Sequence, residues 1–405
     1  MALLVLHYHE MWLKGGNRNF FLHKLTDSLR SHLAGLGALR IEHEDGRVLL
    51  GIDTDPATAV ERLRRVFGVA YYSVVSETGR DLAAVAEVAV EQLRLQPFRT
   101  FAVRARRSDK TLPFRSGEAE RHIGAVLLAR LREAGRDISV NLDHPDLTCY
   151  VEFTSSRALV YSQKIPGPGG MPANTAGKLA CLLSGGFDSA VAAWHMMKRG
   201  AHLLFIHFHG VAAQPGESSE PVAREIVEIL TPYQGHAKLF LVPFYELQRE
   251  IVLNAPEEYR ILLYRRLMLR IAQGLAYRNH ALGLVTGDSL AQVASQTLQN
   301  LAAVGAVAAL PLYRPLIGCD KQEIIDTARR IGTYDPSSER FSDCCPAFMP
   351  RHPRLYATAD ELTQAESKLD IPDMVSRGVA GAQRETYQFQ DGQVVLSNTN
   401  QNALA

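Results

Sequence analysis

Two rhythms of apolar residues run through the first 165 positions. Short alternating runs, Val48-Leu-Leu-Gly-Ile52, Ala70-Tyr-Tyr-Ser-Val-Val75, Thr100-Phe-Ala-Val-Arg104 and Cys149-Tyr-Val-Glu-Phe153, point successive side chains to opposite faces and read as strands. The apolar run that opens the chain reads as another. Between them apolar residues return every three or four positions, which predicts helices over Arg18–Leu36, Pro56–Val66, Leu82–Leu95 and Ser116–Ala134. This mixture predicts an α+β half built as two small sandwich-like units.

The segment Ile165-Pro-Gly-Pro-Gly-Gly-Met-Pro-Ala-Asn-Thr-Ala-Gly177 breaks both rhythms with prolines and glycines, and the main boundary falls there. Beyond it strand, helix and strand alternate: Leu179–Leu183, Ala190–Arg199, His202–Phe208, then Lys238–Val242 and Leu282–Val285. That order predicts an α/β domain with a parallel sheet flanked by helices. The last fifteen or so residues, Ser397–Ala405 above all, are expected to fray.

Length and composition narrow the class. A chain of 405 residues predicts two or three domains, and 46% hydrophobic with 21% charged residues is ordinary globular composition. No run of about 20 apolar residues predicts a membrane span, and the N-terminus lacks the basic start and small-residue cleavage site of a secretory signal. Five irregularly spaced cysteines, Cys149, Cys181, Cys319, Cys344 and Cys345, do not form a disulfide framework and imply a reducing cytoplasm. The net charge of +1 gives no whole-molecule attraction to nucleic acid, so a basic footprint has to be local.

The chemistry concentrates in Leu182-Leu-Ser-Gly-Gly-Phe-Asp-Ser-Ala190, between a predicted strand and a predicted helix. Gly185 and Gly186 let backbone N–H groups approach a phosphate, Ser184 and Ser189 add hydroxyls, and the helix N-terminus adds partial positive charge. Asp188 repels phosphate, so it caps the helix or binds a Mg2+ that bridges phosphates. The alternative is a plain strand-to-helix turn, where Ser, Gly and Asp are common. A Walker-type loop is excluded: Gly170 to Gly177-Lys178 has the wrong spacing, and Leu179 stands where Ser or Thr is needed.

The run resembles the PP-loop signature, S-G-G-x-D-S, of ATP pyrophosphatases, which cleave ATP between the α and β phosphates; the resemblance implies adenylation. It extends over nearly the whole chain to the tRNA 4-thiouridine synthetase family. It is carried by His7-Tyr-His-Glu10, Leu13-Lys-Gly-Gly-Asn-Arg18, Val66-Phe-Gly-Val69, Phe101-Ala-Val-Arg-Ala-Arg-Arg107, Lys164-Ile-Pro-Gly-Pro-Gly-Gly170, Val285–Thr297, Arg314-Pro-Leu-Ile-Gly318 and Asp343-Cys-Cys345. The resemblance implies a ferredoxin-like domain over 1–58, a THUMP RNA-binding domain over 59–165, a linker at 166–177, a PP-loop domain over 178–385 and a tail over 386–405. Two features depart from the family. His9 stands where glycine is expected, and the chain stops near 405, whereas longer members continue into a rhodanese domain with a persulfide cysteine. It resembles the short form, which leaves open the thiazole-synthesis role tied to that domain.

A uridine 4-carbonyl oxygen is a poor leaving group, and adenylation makes it part of AMP. Ser184, Gly185, Gly186, Asp188 and Ser189 would hold pyrophosphate and Mg2+ while charge develops on the leaving phosphates. The resemblance implies ATP contacts from Leu182, Leu183, His207, Phe208, Arg265, Gly287 and Gln296. Leu182, Leu183 and Phe208 also read as strand core, and Arg265 or Arg266 suits phosphate by guanidinium geometry. Asp288 binds metal or nucleotide, or caps a helix. Gln292 and Gln296, four apart, are expected on one helical face and at one site.

Sulfur delivery needs a thiolate, and the adjacent Cys344 and Cys345 are the candidates. The expected scheme is a persulfide loaded on Cys344 by a cysteine desulfurase, with Cys345 or Cys181 resolving. Two alternatives remain: cysteines that only fill apolar space, and an iron-sulfur cluster on Cys319, Cys344 and Cys345, against which their irregular spacing speaks.

Residues 99–121 concentrate Arg99, Arg104, Arg106, Arg107, Lys110, Arg115 and Arg121 against Asp109, Glu118 and Glu120. A charge run is often only a solvated face, but this one coincides with the THUMP-like region. With Lys14 and Arg18 it makes tRNA the expected partner through phosphate contacts. Phe101 and Phe114 read as core or as base-stacking platforms. The resemblance further implies a homodimer in which uridine 8 reaches the PP-loop domain of the other subunit. His7/His9 and His207/His209 lack a third ligand for a metal. Two rival functions are another PP-loop ligase, which leaves the N-terminal half idle, and a non-catalytic tRNA-binding protein, against which the complete loop speaks.

Overall fold

The computed structural model describes residues 2–8, 10–210, 218–338, 348 and 350–400, with backbone alone at 12–14 and 398–400. The chain divides into two compact units, Met1–Gly170 and Met171–Ala405.

The first unit comprises β1 (Ala2–His7), α1 (Arg18–Leu33), β2 (Leu39–Glu44), β3 (Arg47–Ile52), α2 (Pro56–Leu63), β4 (Tyr71–Thr78), α3 (Leu82–Leu93), β5 (Thr100–Arg107), α4 (Ser116–Glu133), β6 (Ser139–Val140), β7 (Leu147–Phe153), β8 (Ala158–Tyr161) and β9 (Ile165–Pro166). The predicted helices are all present. α1 stops at Leu33 and not Leu36, ahead of Gly35 and Gly37, which take left-handed φ of 77° and 89°. Two separate sandwiches do not form. A single nine-stranded sheet runs β2-β3-β1-β4-β8-β7-β5-β6, with β9 beside β4. The reason is the length of β4: Tyr71–Val75 pair with β1, and Ser76–Thr78 pair with β8. Each half has its own helices. Leu25, Leu29 and Leu33 of α1 pack with Leu4, Leu6 and Val48, while Val85 and Ala89 of α3 join Ile123 and Leu127 of α4 over Phe101 and Val151.

The second unit comprises β10 (Lys178–Leu182), α5 (Phe187–Lys198), β11 (His202–His209), α6 (Glu220–Leu230), β12 (His236–Pro243), α7 (Tyr245–Asn254), α8 (Arg260–Arg278), β13 (Leu284–Val285), α9 (Leu298–Gly305), β14 (Leu312–Tyr313), α10 (Lys321–Ile331), α11 (Ala359–Ala365), α12 (Ile371–Ala380), β15 (Gln383–Gln390) and β16 (Gln393–Asn400). The strand order is β14-β13-β10-β11-β12-β15-β16. β14 through β12 are parallel, as the alternation predicts, and the last two strands are antiparallel. The α7, α8 and α12 residues Leu247, Leu267, Ile271 and Met374 pack against Leu204, Phe240 and Ala180 on one face. β11 and β12 extend the sheet from one side of β10 and β13 from the other, so the order switches beside β10, where parallel sheets open a crevice at their carboxyl ends.

The chain end departs from expectation. Residues 393–400 do not fray but form β16, a hairpin with β15. Asp391 and Gly392 take φ of 50° and 83°, the left-handed pair a two-residue hairpin turn requires, so Asp-Gly was the missed signal.

Candidate active site

The glycine run forms the turn between β10 and α5, with Gly186 capping the helix. The buried Ser189 hydroxyl accepts the Ser184 N–H at 3.1 Å and donates to the Gly186 carbonyl at 2.9 Å. It therefore shapes the loop from inside, while Ser184 is exposed. The segment after β13 rests on this turn. A Cβ on Gly287 would lie 2.6 Å from the Ser189 nitrogen, so only glycine allows the approach. The turn runs directly into the N-terminus of α5, the place where the sequence analysis expects an anion cradle.

A cavity of about 270 Å³ opens beside the loop at the switch point. Leu182, Leu183, Phe208, Met268, Val304 and Leu312 form its apolar wall; Ser184, Asp188, Arg265, Gln296 and Arg314 line the polar side. Asp288, 4% exposed, organises that side. Its carboxylate pairs with Arg265 and with Arg314 Nε at 3.2 Å, and accepts from the Thr286 hydroxyl at 2.8 Å and the Gln296 amide at 3.3 Å. Burial alone would raise the Asp288 pKa, but Arg265, Thr286 and Arg314 outweigh it and hold the carboxyl below its ordinary range. Arg265 also donates to the Ser295 carbonyl at 2.9 Å, and Arg314 to the Leu301 carbonyl at 3.0 Å. Asp288 is thus a fixed anchor for two guanidiniums, neither a cap nor an open metal ligand.

Asp188 faces the cavity from the first turn of α5. The Lys321 ammonium lies 2.9 and 3.0 Å from its two oxygens, and the Gln292 amide donates at 3.0 Å. Gln292 and Gln296 do not share a helix. Residues 290–293 turn and Ala294–Gln296 form one 3₁₀ turn, which sends Gln292 to Asp188 and Gln296 to Asp288. Lys321 was not singled out from the sequence, and Arg314 stood only within the run Arg314–Gly318 that carries the resemblance, with no role given to it. A signal for Lys321 existed: Asp320 and Glu323 form a capping box that starts α10, and a cation in the first turn of a helix opposes its dipole.

Other expected residues fall elsewhere. His207 is fully buried behind the wall, its Nδ1 2.8 Å from the Leu183 carbonyl and its Nε2 2.8 Å from Ser219 Oγ, so it supports the loop strand. Arg266 turns away from the cavity, 3% exposed, against Glu366 and the Ala359 carbonyl. Cys181 is fully buried, and burial pushes its thiol up to about 12, away from the thiolate form a resolving nucleophile needs. Cys344, Cys345 and His9 lie outside the described residues. Among those described, no group of three His, Cys, Asp or Glu side chains is placed to hold a metal ion. No helix among them is long and apolar enough to cross a membrane.

In the first unit a cleft of about 620 Å³ brings Arg18 beside Arg47, Arg106 and Arg107, with His7 and Tyr71. Arg18 donates to the Tyr8 hydroxyl at 2.6 Å, and Arg107 holds the loop carbonyls of Leu112 and Phe114. Below them Glu152, 4% exposed, binds Arg47, the Tyr161 hydroxyl and His7 Nε2 at 3.0 Å. Arg104, Lys110 and Arg115 are exposed outside that cleft, and Lys14 lies in the 3₁₀ segment Glu10–Asn17. Phe101 is core, and the half-buried Phe114 packs edge-on to Phe153 at 5.0 Å.

Comparison with known proteins agrees with this geometry. The ThiI ferredoxin-like model matches residues 3–73, the THUMP domain 79–163, and the ThiI family model, described as thiamine biosynthesis protein, 174–371. A probable tRNA sulfurtransferase of Moorella thermoacetica is 39% identical over 92% of this chain and 94% of its own length. One from Thermus thermophilus is 41% identical over 95% of this chain and 94% of its own. The crystal structure of a 4-thiouridine synthetase–RNA complex with bound ATP superposes with a TM-score of 0.83, at 30% identity, covering 95% of this chain and 99% of that one. Matches of this length, over a fold with the phosphate loop at the sheet's switch point, make the chain a member of the ThiI family.

Proposed function

We propose that the chain is a tRNA sulfurtransferase that adenylates the 4-carbonyl of uridine 8 and replaces its oxygen with sulfur. One observation carries this reading: the glycine loop, seated on Gly287, borders a cavity with an apolar wall on one side and two carboxylate-anchored arginines on the other. That pairing suits a purine with its phosphates, and the relatives' sulfurtransferase names agree with it.

The uridine O4 attacks the α-phosphorus of ATP, a C4–O–P link forms, and pyrophosphate leaves. Loop N–H groups draw the departing charge, while Arg265 and Arg314, fixed by Asp288, face the phosphate. The terminal sulfur of a persulfide on Cys344 then attacks C4 and AMP leaves; Cys345 thiolate attacks Cys344, forming a disulfide and freeing the thiocarbonyl. A dithiol reductant returns the disulfide to two thiols between turnovers, and a cysteine desulfurase then loads a new persulfide on Cys344. Asp188, the cavity carboxylate free of guanidiniums, would hold a Mg2+ in place of the Lys321 ammonium, and such an ion would neutralise pyrophosphate charge. Lys14, Arg18, Arg104, Arg106, Arg107, Lys110 and Arg115 hold the tRNA. The enzyme works in the cytoplasm as a homodimer.

The test incubates the protein with tRNA, Mg-ATP, cysteine and a desulfurase, and measures 4-thiouridine for wild type and Asp188→Ala. Equal yields reject the loop assignment. ATP-to-AMP turnover without thiolation favours a different ligase.

A further inference from the structure

The turn that carries Gln292 is pinned from several sides. Ala291 takes φ of 61°, in the left-handed region that residues with a side chain seldom adopt. The Ala291 N–H donates to the Gln296 carbonyl at 2.9 Å, and the Gln296 N–H donates to the Val293 carbonyl at 2.8 Å. The buried Asn300 amide donates to the Ala294 carbonyl at 2.8 Å, and Arg265 to the Ser295 carbonyl at 2.9 Å. Gln292 therefore stands between two fixed neighbours, and the backbone sets the direction of its side chain. A backbone conformation of this kind persists only where its surroundings impose it, and such residues collect at working sites.

That direction is toward the half-buried Asp188, whose carboxylate two exposed side chains reach. Lys321 lies 2.9 Å from Oδ1 and 3.0 Å from Oδ2, whereas Gln292 donates to Oδ2 alone, at 3.0 Å. The two donors differ in charge. An incoming cation repels the Lys321 ammonium but not the neutral amide, and an amide that holds Oδ2 leaves the lone pairs of Oδ1 open. The other end of the same turn meets the second acid, since Gln296 donates to Asp288 at 3.3 Å. One turn thus braces Asp188 and Asp288, the two carboxylates that line the cavity.

We propose that Gln292 is a positioning residue: aimed by the left-handed Ala291, its amide locks Asp188 Oδ2 and presents Oδ1 to the metal ion that accompanies the nucleotide. The role rests on the reading of Asp188 as the Mg2+ residue. Carboxylates that ligate metals are themselves held by hydrogen bonds, and loss of such a partner typically costs about 10- to 100-fold in metal affinity.

The test titrates the full chain with Mn2+, a paramagnetic substitute for Mg2+, in the presence of ATP and without tRNA, and follows bound metal by electron paramagnetic resonance. Gln292→Met keeps the length of the side chain and removes the amide. Its Mn2+ affinity is expected to fall about tenfold or more, with metal-free ATP affinity and the thermal midpoint unchanged. Ala291→Val, whose β-branched side chain disfavours a positive φ, is expected to lose as much, and Ala291→Gly, which accepts that φ, to lose nothing. The double variant Ala291→Val/Gln292→Met is expected to lose no more than Gln292→Met, because both changes act through one contact. Wild-type Mn2+ affinity in Gln292→Met overturns the proposal. So does a fall in its metal-free ATP affinity that matches the fall for Mn2+, which marks a merely structural turn. If Ala291→Val fails to fold, Gln292→Met alone decides. Asp188→Ala that binds Mn2+ as wild type does sinks the reading of Asp188 and the positioning role with it; Asp188→Ala that loses the metal while Gln292→Met keeps it sinks the positioning role alone.

Discussion

Gly287 touches the backbone of Ser189: an added methyl would sit 2.6 Å from the Ser189 nitrogen and 2.8 Å from its α-carbon. The neighbour is helix backbone, which cannot swing aside as a side-chain tip does. Gly287→Ala is expected to push the phosphate loop off its seat, at about 1–3 kcal/mol of stability, and to weaken ATP binding at least tenfold. Calorimetric titration with ATP, beside a thermal melt, checks both.

Asp288→Asn keeps the shape of the anchor and removes its charge. Arg265 and Arg314 then lose the carboxylate that orients both. Expected are a KM for ATP raised about tenfold or more and a stability loss of about 1–3 kcal/mol. Should KM stay at the wild-type value, the two guanidiniums do not face nucleotide.

Lys321→Gln removes the ammonium paired with Asp188. Lys321 is surface-accessible, so stability is expected to change by no more than about 0.5 kcal/mol while turnover falls severalfold or more. Steady-state thiouridine formation at saturating ATP reads the effect.

How far these residues were legible in the sequence follows from their reach along the chain. The loop Ser184–Ser189 was visible because its parts are contiguous and sit between a strand pattern and a helix pattern. The pairing of Asp288 with Arg265 and Arg314, and of Asp188 with Lys321, joins positions 23 to 133 residues apart, and no local pattern encodes it. Gln292 and Gln296 misled because four-residue spacing implies one face only inside a helix, and the chain turns between them. Asp391-Gly392 was legible but masked by the polar tail around it.

Glu152 gives the first unit an acid-sensitive core. Burial raises its pKa, but the His7 hydrogen bond and charge, Arg47 and Tyr161 outweigh that and bring it down from 4.5 to about 2. The folded value lies below the unfolded one, so the contribution is complete above about pH 5 and is lost as pH falls toward 2. A shift of that size corresponds to roughly 3 kcal/mol. Chemical denaturation of wild type and Glu152→Gln between pH 5 and 2.5 is expected to show a steep loss in wild type and a shallower one in the variant.

Cys149 and Cys181 are fully buried, and burial pushes both thiols up to about 12. Iodoacetamide on the native protein at neutral pH is expected to spare both, read by peptide mass mapping. Cys181→Ala is expected to leave thiolation within about twofold of wild type. Rapid alkylation of Cys181 would restore it as a sulfur relay.

Because β4 bonds to β1 along its first half and to β8 along its second, the two N-terminal modules share one beam. A cut, circular permutation or graft between residues 73 and 79 severs that beam and bares two raw edges, each a template for aggregation. Evolution or an engineer wishing to move the N-terminal half to another enzyme has to transplant it as one indivisible piece.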